Sequence, residues 1–235
     1  MKAIVLCGGL GKRLGELTRH TPKPMLKVAG RPFIAHVLDR LSVSGIEGIV
    51  LASGFASHQL KRFVGNSWAE VPIQYSVESN PLGTGGAILL AMQRHELAEA
   101  LVINGDTIFD IDLCSFINNS RAQNRVSTTT FMALRTVENC SRYGRVEIDH
   151  DGVVKSFGEK EFYGSGLINA GLYIQQRAAL EKFGSAPFSF ENDYLAYDFK
   201  YFNIVGIPYA GYFIDIGVPA DLIRADLELS SISRK

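Results

Sequence analysis

Cysteine is scarce in this chain. Cys7, Cys114 and Cys140 are three among 235 residues, an odd number with no Cys-x-x-Cys spacing, which argues against a disulfide framework or a zinc knuckle. Such a composition suits a reducing compartment, and the cytoplasm is the expected location. Excess charge of either sign is also lacking. Lysine plus arginine and aspartate plus glutamate both number 24, so net charge gives no reason to expect nucleic acid or a membrane surface as partner. Any anion site must therefore be local. Long apolar runs are missing too: the opening segment, residues 1–7, enters glycines too soon to be a signal peptide or a membrane span. The five histidines, at positions 20, 36, 58, 95 and 150, show neither metal-ligand nor triad spacing. Cys7, inside an apolar stretch, reads as core and not as a nucleophile. No internal repeat, low-complexity run or linker interrupts the chain, which is expected to form a single domain of residues 1–235.

What is present is the material of an α/β core. Hydrophobic residues make up 46% of the sequence, enough to bury a substantial interior at this length. The first half alternates short β-branched runs with amphipathic segments, as in a parallel sheet wrapped by helices. Strands are predicted at residues 3–7, 49–52, 73–77 and 101–104. Helices are predicted at 32–44, 56–64, 84–95 and 113–124, the first because Phe33, Ile34, Val37, Leu38 and Leu41 recur at helical spacing. The second half changes character. Predicted strands at 145–148 and 153–157 flank Asp151-Gly152, a hairpin turn by its tolerance of positive φ. A strand at 167–174, helices at 177–183 and 191–197, a strand at 212–215 and a final helix at 219–231 complete the expectation.

Directly after the first strand comes Gly8-Gly9-Leu10-Gly11-Lys12-Arg13-Leu14, and further on Pro22-Lys23-Pro24-Met25-Leu26. Glycines at a strand's carboxyl end let backbone N–H groups approach a phosphate, and basic side chains add the charge a triphosphate requires. A dinucleotide fingerprint on Gly9 and Gly11 would need glycine where Leu14 stands, and a Walker A loop needs Ser or Thr where Arg13 stands. Both fail on spacing. The glycines alone could equally form a tight βα turn, but a lysine stiffened between two prolines suits neither helix nor strand and reads as a positioned charge.

With Leu17-Thr18 between them, these two motifs resemble the signature of the sugar-1-phosphate nucleotidyltransferases, the NDP-sugar pyrophosphorylases. The resemblance implies an α/β fold: a Rossmann-like mixed, mainly parallel sheet flanked by helices, of the GT-A-like kind, with a small antiparallel sugar-binding insertion. It places the nucleotide half at about 1–112 and the sugar-phosphate half at about 113–235. It implies that Leu6, Gly8, Gly9, Gly11, Lys12 and Arg13 hold the nucleotide and that Arg13, Lys23 and Asp106 are catalytic. Glu78, Pro81, Gly83 and Thr84, in the stretch Glu78–Gly86, resemble the family's nucleobase loop, where glycines permit close approach to a base and Glu78 could accept its N–H groups. Asn104, Gly144, Glu159, Lys160 and Asn169 resemble the sugar-phosphate side. The family's Glu-Lys-Pro reads Glu159-Lys160-Glu161 here, which loosens the register of Glu159.

Mg²⁺ is the implied cofactor, held by Asp106 and Asp215, since magnesium takes a few hard oxygens and fills its shell with water and phosphate. Read without the family, Asp106 is as often a turn residue and Asp215 a helix-approach cap. Asp110-Ile111-Asp112 imitates the pair found in metal-dependent glycosyltransferases, yet Asp112 precedes a helical segment and is better explained as its N-cap. The implied partners are a nucleoside triphosphate and a sugar 1-phosphate, with a homo-oligomer open. Residues 30–33, 81–87 and 104–106 resemble the branch that takes GTP and a D-glycero-α-D-manno-heptose 1-phosphate. Mannose-1-phosphate guanylyl, glucose-1-phosphate thymidylyl and N-acetylmuramate-1-phosphate uridylyl transfer are the rivals, as is a non-catalytic binding paralogue.

Overall fold

The computed structural model describes the chain except residues 10, 55–56, 124–125, 127, 159–162, 198–202 and 233–235, together with the side chains of Lys12 and Ile232. At its centre is β1 (Lys2–Leu6), a run of buried aliphatic residues. Such a run lacks alternation because helices cover both faces, the condition of a parallel sheet interior. The side chains still alternate: Ala3, Val5 and Cys7 join one apolar cluster and Ile4 the other. The short pair β2 (Lys27–Val28) and β3 (Arg31–Pro32) follows, then α1 (Phe33–Ser42), β4 (Gly48–Ser53), α2 (Ser57–Val64), β5 (Ser67–Trp68) and β6 (Val71–Val77). β4 and β6 extend the parallel sheet, and α3 (Gly83–Arg94) leads to β7 (Glu99–Asn104), which closes on the other side of β1. Phe33, Leu38 and Leu41 of α1 pack in the cluster of Val5, whereas Ile88, Leu89 and Met92 of α3 pack in that of Ile4.

Beyond β7 the sheet turns antiparallel. After β8 (Thr107–Asp110) and α4 (Leu113–Ala122), β9 (Thr130–Val137), β10 (Val146–Ile148) and β11 (Val154–Phe157) precede β12 (Gly166–Gln176), which pairs antiparallel with both β7 and β9. β13 (Ile204–Tyr209) lies parallel to β9. The main sheet thus has ten strands, with a parallel centre and a mixed flank. β14 (Tyr212–Asp215) pairs with β8 in a separate ribbon, and α5 (Pro219–Ile232) packs over it.

Three expectations need correction. The strands β8, β9 and β13 lie where none was predicted. Residues 177–183 form two 3₁₀ turns, Arg177–Ala179 and Glu181–Phe183, not one helix. Residues Phe190–Ala196 form a wide π-helical coil in which both Asp193 and Tyr194 donate to the Ser189 carbonyl. The hairpin at Asp151-Gly152 stands as predicted: Gly152 has φ 78°, and the Asp149 carboxylate accepts from the N–H groups of Asp151 and Val153 at 3.0 and 2.9 Å. Among the described residues, no helix is long and apolar enough to cross a membrane.

Candidate active site

The carboxyl edge of the parallel strands opens into a cleft of about 1000 Å³ lined by Leu6, Gly9, Arg13, Lys23, Thr84, Asn104, Asp106 and Asp215 among others. This is the side of an open α/β sheet where ligands gather. Asp106 follows the end of β7, where the Gly105 N–H donates to the Leu6 carbonyl at 3.0 Å. Asp215 is more than a hundred residues away in sequence and arrives through β14, whose register sets Asp215 opposite Thr107 of β8. The Ile216 N–H then donates to the Asp106 carbonyl at 3.0 Å. Backbone pairing therefore brings the two carboxylates together.

Lys23 reaches the same point from a single 3₁₀ turn, Lys23–Met25, so the proline-flanked lysine does sit outside regular helix and strand. Its ammonium pairs with the Asp106 carboxylate, with its side chain 10% exposed. The other Asp106 oxygen accepts from the Thr107 hydroxyl at 3.1 Å. Burial and the nearby Asp106 charge together raise Asp215 above the ordinary carboxylate range, with Lys23 pulling the other way.

The glycine loop runs into a 3₁₀ segment, Lys12–Thr18, and Arg13 projects exposed into the cleft. Gly8, Gly11, Glu78, Pro81 and Gly83 do not line it. The Lys12 side chain, Glu159 and Lys160 lie outside the described residues. Glu78 is occupied within the protein: one carboxylate oxygen accepts from the Leu82 N–H at 3.0 Å, and the other lies against Gly8 and Gly54. The glycines of the expected base loop serve packing. At Gly83, φ is 73° and an added Cβ would lie 2.3 Å from the Phe188 carbonyl oxygen; at Gly85 it would lie 2.1 Å from the Phe188 ring. Close approach of the Phe188 segment demands glycine at these two positions.

A second pocket of about 660 Å³ adjoins the first, sharing Arg13, Asn104, Glu191 and Asp215 and adding Arg142, Tyr143, Asn169, Tyr173 and Phe213. Asn169 sits at a break in the β12 register, where its side-chain oxygen accepts from the Gly171 N–H at 2.9 Å and its amide donates to the Tyr173 hydroxyl at 2.8 Å. The Asn104 side-chain oxygen is buried and has no hydrogen-bond partner among the described residues. Gly144, expected to offer a backbone contact, has its N–H donating to the Cys140 carbonyl at 3.0 Å and lines neither pocket.

The nucleotidyl transferase family model matches residues 2–230. The chain belongs to the nucleotidyl transferase family. It is 37% identical, over 97% of its length and 98% of theirs, to the D-glycero-alpha-D-manno-heptose 1-phosphate guanylyltransferase of Aneurinibacillus thermoaerophilus. The enzyme of the same name from Campylobacter jejuni is 38% identical over 94% of this chain and 96% of its own. The crystal structure of HddC from Yersinia pseudotuberculosis complexed with GMP-PN superposes with a TM-score of 0.84 at 33% identity, covering 97% of this chain and 99% of that one.

For a nucleotidyltransferase, a divalent cation fits this chain's residues. Two carboxylates open into one space with their mutual repulsion partly offset by Lys23, and a hard dication would relieve it. Among the described residues no cluster of three or more His, Cys, Asp or Glu occurs, so waters and phosphate oxygens would complete the shell.

The candidate site also contains a residue that no motif in the sequence marks. Glu191 lines both pockets, accepts from the Thr84 hydroxyl at 2.7 Å, and is set by a coil whose N-cap is Ser189. Its neighbourhood, Ser189 to Asp193, reads in sequence as ordinary helix capping, and Ser189 and Asp193 do exchange capping bonds. Asp112 caps α4 as expected, accepting from the Ser115 N–H at 3.1 Å, and Asp110 pairs with Arg40 at 3.4 Å away from the cleft.

Proposed function

We propose that this nucleotidyltransferase moves a guanylyl group from GTP to D-glycero-α-D-manno-heptose 1-phosphate, releasing pyrophosphate, with Mg²⁺ as its cofactor. The observation that carries the reading is the convergence of Arg13 and Lys23 with the Asp106 and Asp215 carboxylates on a cleft continuous with a second pocket. The choice of base and sugar is supported by the two guanylyltransferase relatives and the HddC likeness.

An oxygen of the sugar phosphate forms a bond to the α-phosphorus in line as the bond to the β-phosphate oxygen breaks, its electron pair leaving with pyrophosphate. The attacking phosphate is already an anion, so alignment and charge screening carry the rate and no general base is needed. Arg13 screens the triphosphate. Lys23, held on Asp106 until substrate arrives, turns to the phosphates at the reacting centre. Asn104 offers its unpartnered oxygen to a sugar hydroxyl. Asp106 and Asp215 would hold Mg²⁺, which when bound would supply charge neutralisation on the phosphoryl oxygens.

The deciding experiment measures pyrophosphate release for four nucleoside triphosphates against heptose, mannose, glucose and N-acetylmuramate 1-phosphates, with and without EDTA. GTP with the heptose substrate, abolished by EDTA and restored by Mg²⁺, is the expected result. Preference for another pair overturns the specificity, and full activity in EDTA overturns the metal.

A further inference from the structure

The second pocket holds a cation that the signature motifs do not name. Arg142 lies in the connection between β9 and β10 and lines the pocket beside Asn169, Tyr173 and Asp215. Its guanidinium is held on two sides. One terminal nitrogen pairs with the carboxylate of Asp221, in the first turn of α5, and the guanidinium carbon stands 5.1 Å from the centre of the Tyr143 ring. The Asp221 side chain is 7% exposed, against 39% for Arg142. A carboxylate so withdrawn from water persists only against a positive partner, and the second nearby guanidinium, Arg224, is a looser one at 3.7 Å. The buried member of the pair is thus an anchor, and the open member is the one that faces ligand.

Charge decides what that ligand group is. Among the described residues lining this pocket, Asp215 and Glu191 are anions and Arg13 and Arg142 the cations. Asp215 lines this pocket together with Arg142, so its charge opposes a phosphate monoester placed there, and the Asp215 and Arg142 charges act on each other. A cation on the acceptor's own side adds to the offset that Lys23 and a bound metal would give at Asp215. A guanidinium has five N–H donors and no acceptor, so one nitrogen on Asp221 leaves a fork for phosphate oxygens.

Resting on the function proposed above, we infer that Arg142 grips the phosphate of the sugar 1-phosphate and that Asp221 is the residue that positions it. Arg142 is then a substrate-contacting residue, additional to any role of Lys160. Asp221 acts only through Arg142.

The test is steady-state kinetics on the wild type, R142A, R142K and D221N with the best substrate pair, varying each substrate in turn. R142A should raise KM for the sugar 1-phosphate by about tenfold or more, the scale of one lost charge-assisted contact, and leave KM for the nucleoside triphosphate within about twofold. R142K should recover part of the loss, because it keeps the charge without the fork. D221N should move the sugar 1-phosphate KM in the same direction while the other KM holds. An unchanged sugar 1-phosphate KM in R142A, or a proportional rise in both constants, overturns the contact. A D221N that melts lower yet keeps both constants overturns the positioning role. Wild-type protein inert with every pair would instead bring down the functional reading, and this inference with it.

Discussion

Lys23 and Asp106 form an ion pair at the edge of the cleft, and neither side chain is needed to fill the core. Asp106 keeps access to solvent, 31% of its side chain being exposed, so loss of Lys23 does not strand a carboxylate in the interior. Lys23→Ala and Asp106→Ala should each lower kcat roughly 10²-fold or more, the scale of removing one preorganised charge from a reacting centre, while circular dichroism stays near wild type. The melting profile should hold in Lys23→Ala and fall in Asp106→Ala, which leaves the Lys23 ammonium, 10% exposed, without that partner. A variant that retains most of its turnover would remove the residue from the catalytic set. His36 allows a different residue-scale prediction. It is buried, its Nε2 lies 2.9 Å from the Val28 carbonyl and its Nδ1 3.3 Å from an Arg31 nitrogen, so the neutral ring donates from Nε2 and accepts at Nδ1. Burial lowers its pKa, helped by Arg31 and Arg40 and opposed by the Val28 hydrogen bond and Asp39. With the folded value depressed, the unfolded chain binds the proton more readily. The contribution of neutral His36 to stability is therefore complete above about pH 6.5, the unfolded value, and is lost as pH falls from there through the folded value. Urea unfolding at pH 7 and pH 5.5 should show a larger acid loss in wild type than in His36→Gln; equal losses would contradict the account.

Among the elements, α3 and the segment after it in space, residues 188–191, behave as one unit. The Phe188 N–H donates to the Leu82 carbonyl at 2.9 Å, the Phe188 carbonyl accepts from Gly85 at 3.1 Å, and the Phe190 N–H donates to the Thr84 hydroxyl at 2.8 Å. Gly85→Ala should destabilise by about 1–3 kcal/mol, as overpacking does, and Phe188→Ala should partly relieve it, giving a non-additive double-mutant cycle in chemical denaturation. Strict additivity would show that the ring does not crowd Gly85. The same contact explains a limit of the sequence. Nothing local to Gly83-Thr84-Gly85-Gly86 shows that Phe188, a hundred residues on, packs against Gly83 and Gly85. β9 was missed because Thr130–Phe131–Met132–Ala133–Leu134 is buried throughout and shows no alternation, and β13 because Gly206 and Pro208 punctuate it. Pro208 is tolerated at the sheet's edge, where β13 pairs with β9 alone among the named strands. By contrast β1, β4, α1 and the 151–152 hairpin were legible, because aliphatic runs, helical spacing and turn residues are local signals. Asp106 and Lys23 could be read from their motifs. Arg142 and Glu191 could not, since only the pairing of distant strands and a packed coil carry them to the cleft.

At the scale of the whole molecule, the cleft is built from both parts of the chain: Leu6, Arg13 and Asp106 from one, Ser189, Glu191 and Asp215 from the other. β12, from the second part, is hydrogen-bonded along β7 of the first, from Gln176 against Glu99 to Leu172 against Ile103. We propose that the two halves unfold together as one domain. Calorimetry should then give a single transition, and a nucleotide bound across the cleft should raise it as a unit. At a ligand concentration a hundredfold above Kd, linkage adds about 2.7 kcal/mol, which for a chain of this size corresponds to roughly 5–11 °C. The shift should shrink when EDTA accompanies the nucleotide, and should shrink in Asp106→Asn, where a bound metal would lose one of its two proposed ligands. Two transitions, only one of them moved by nucleotide, would mean that the halves are energetically separate despite their shared sheet. A full shift in EDTA would mean that the nucleotide is held by the glycine loop and Arg13 without help from the carboxylates.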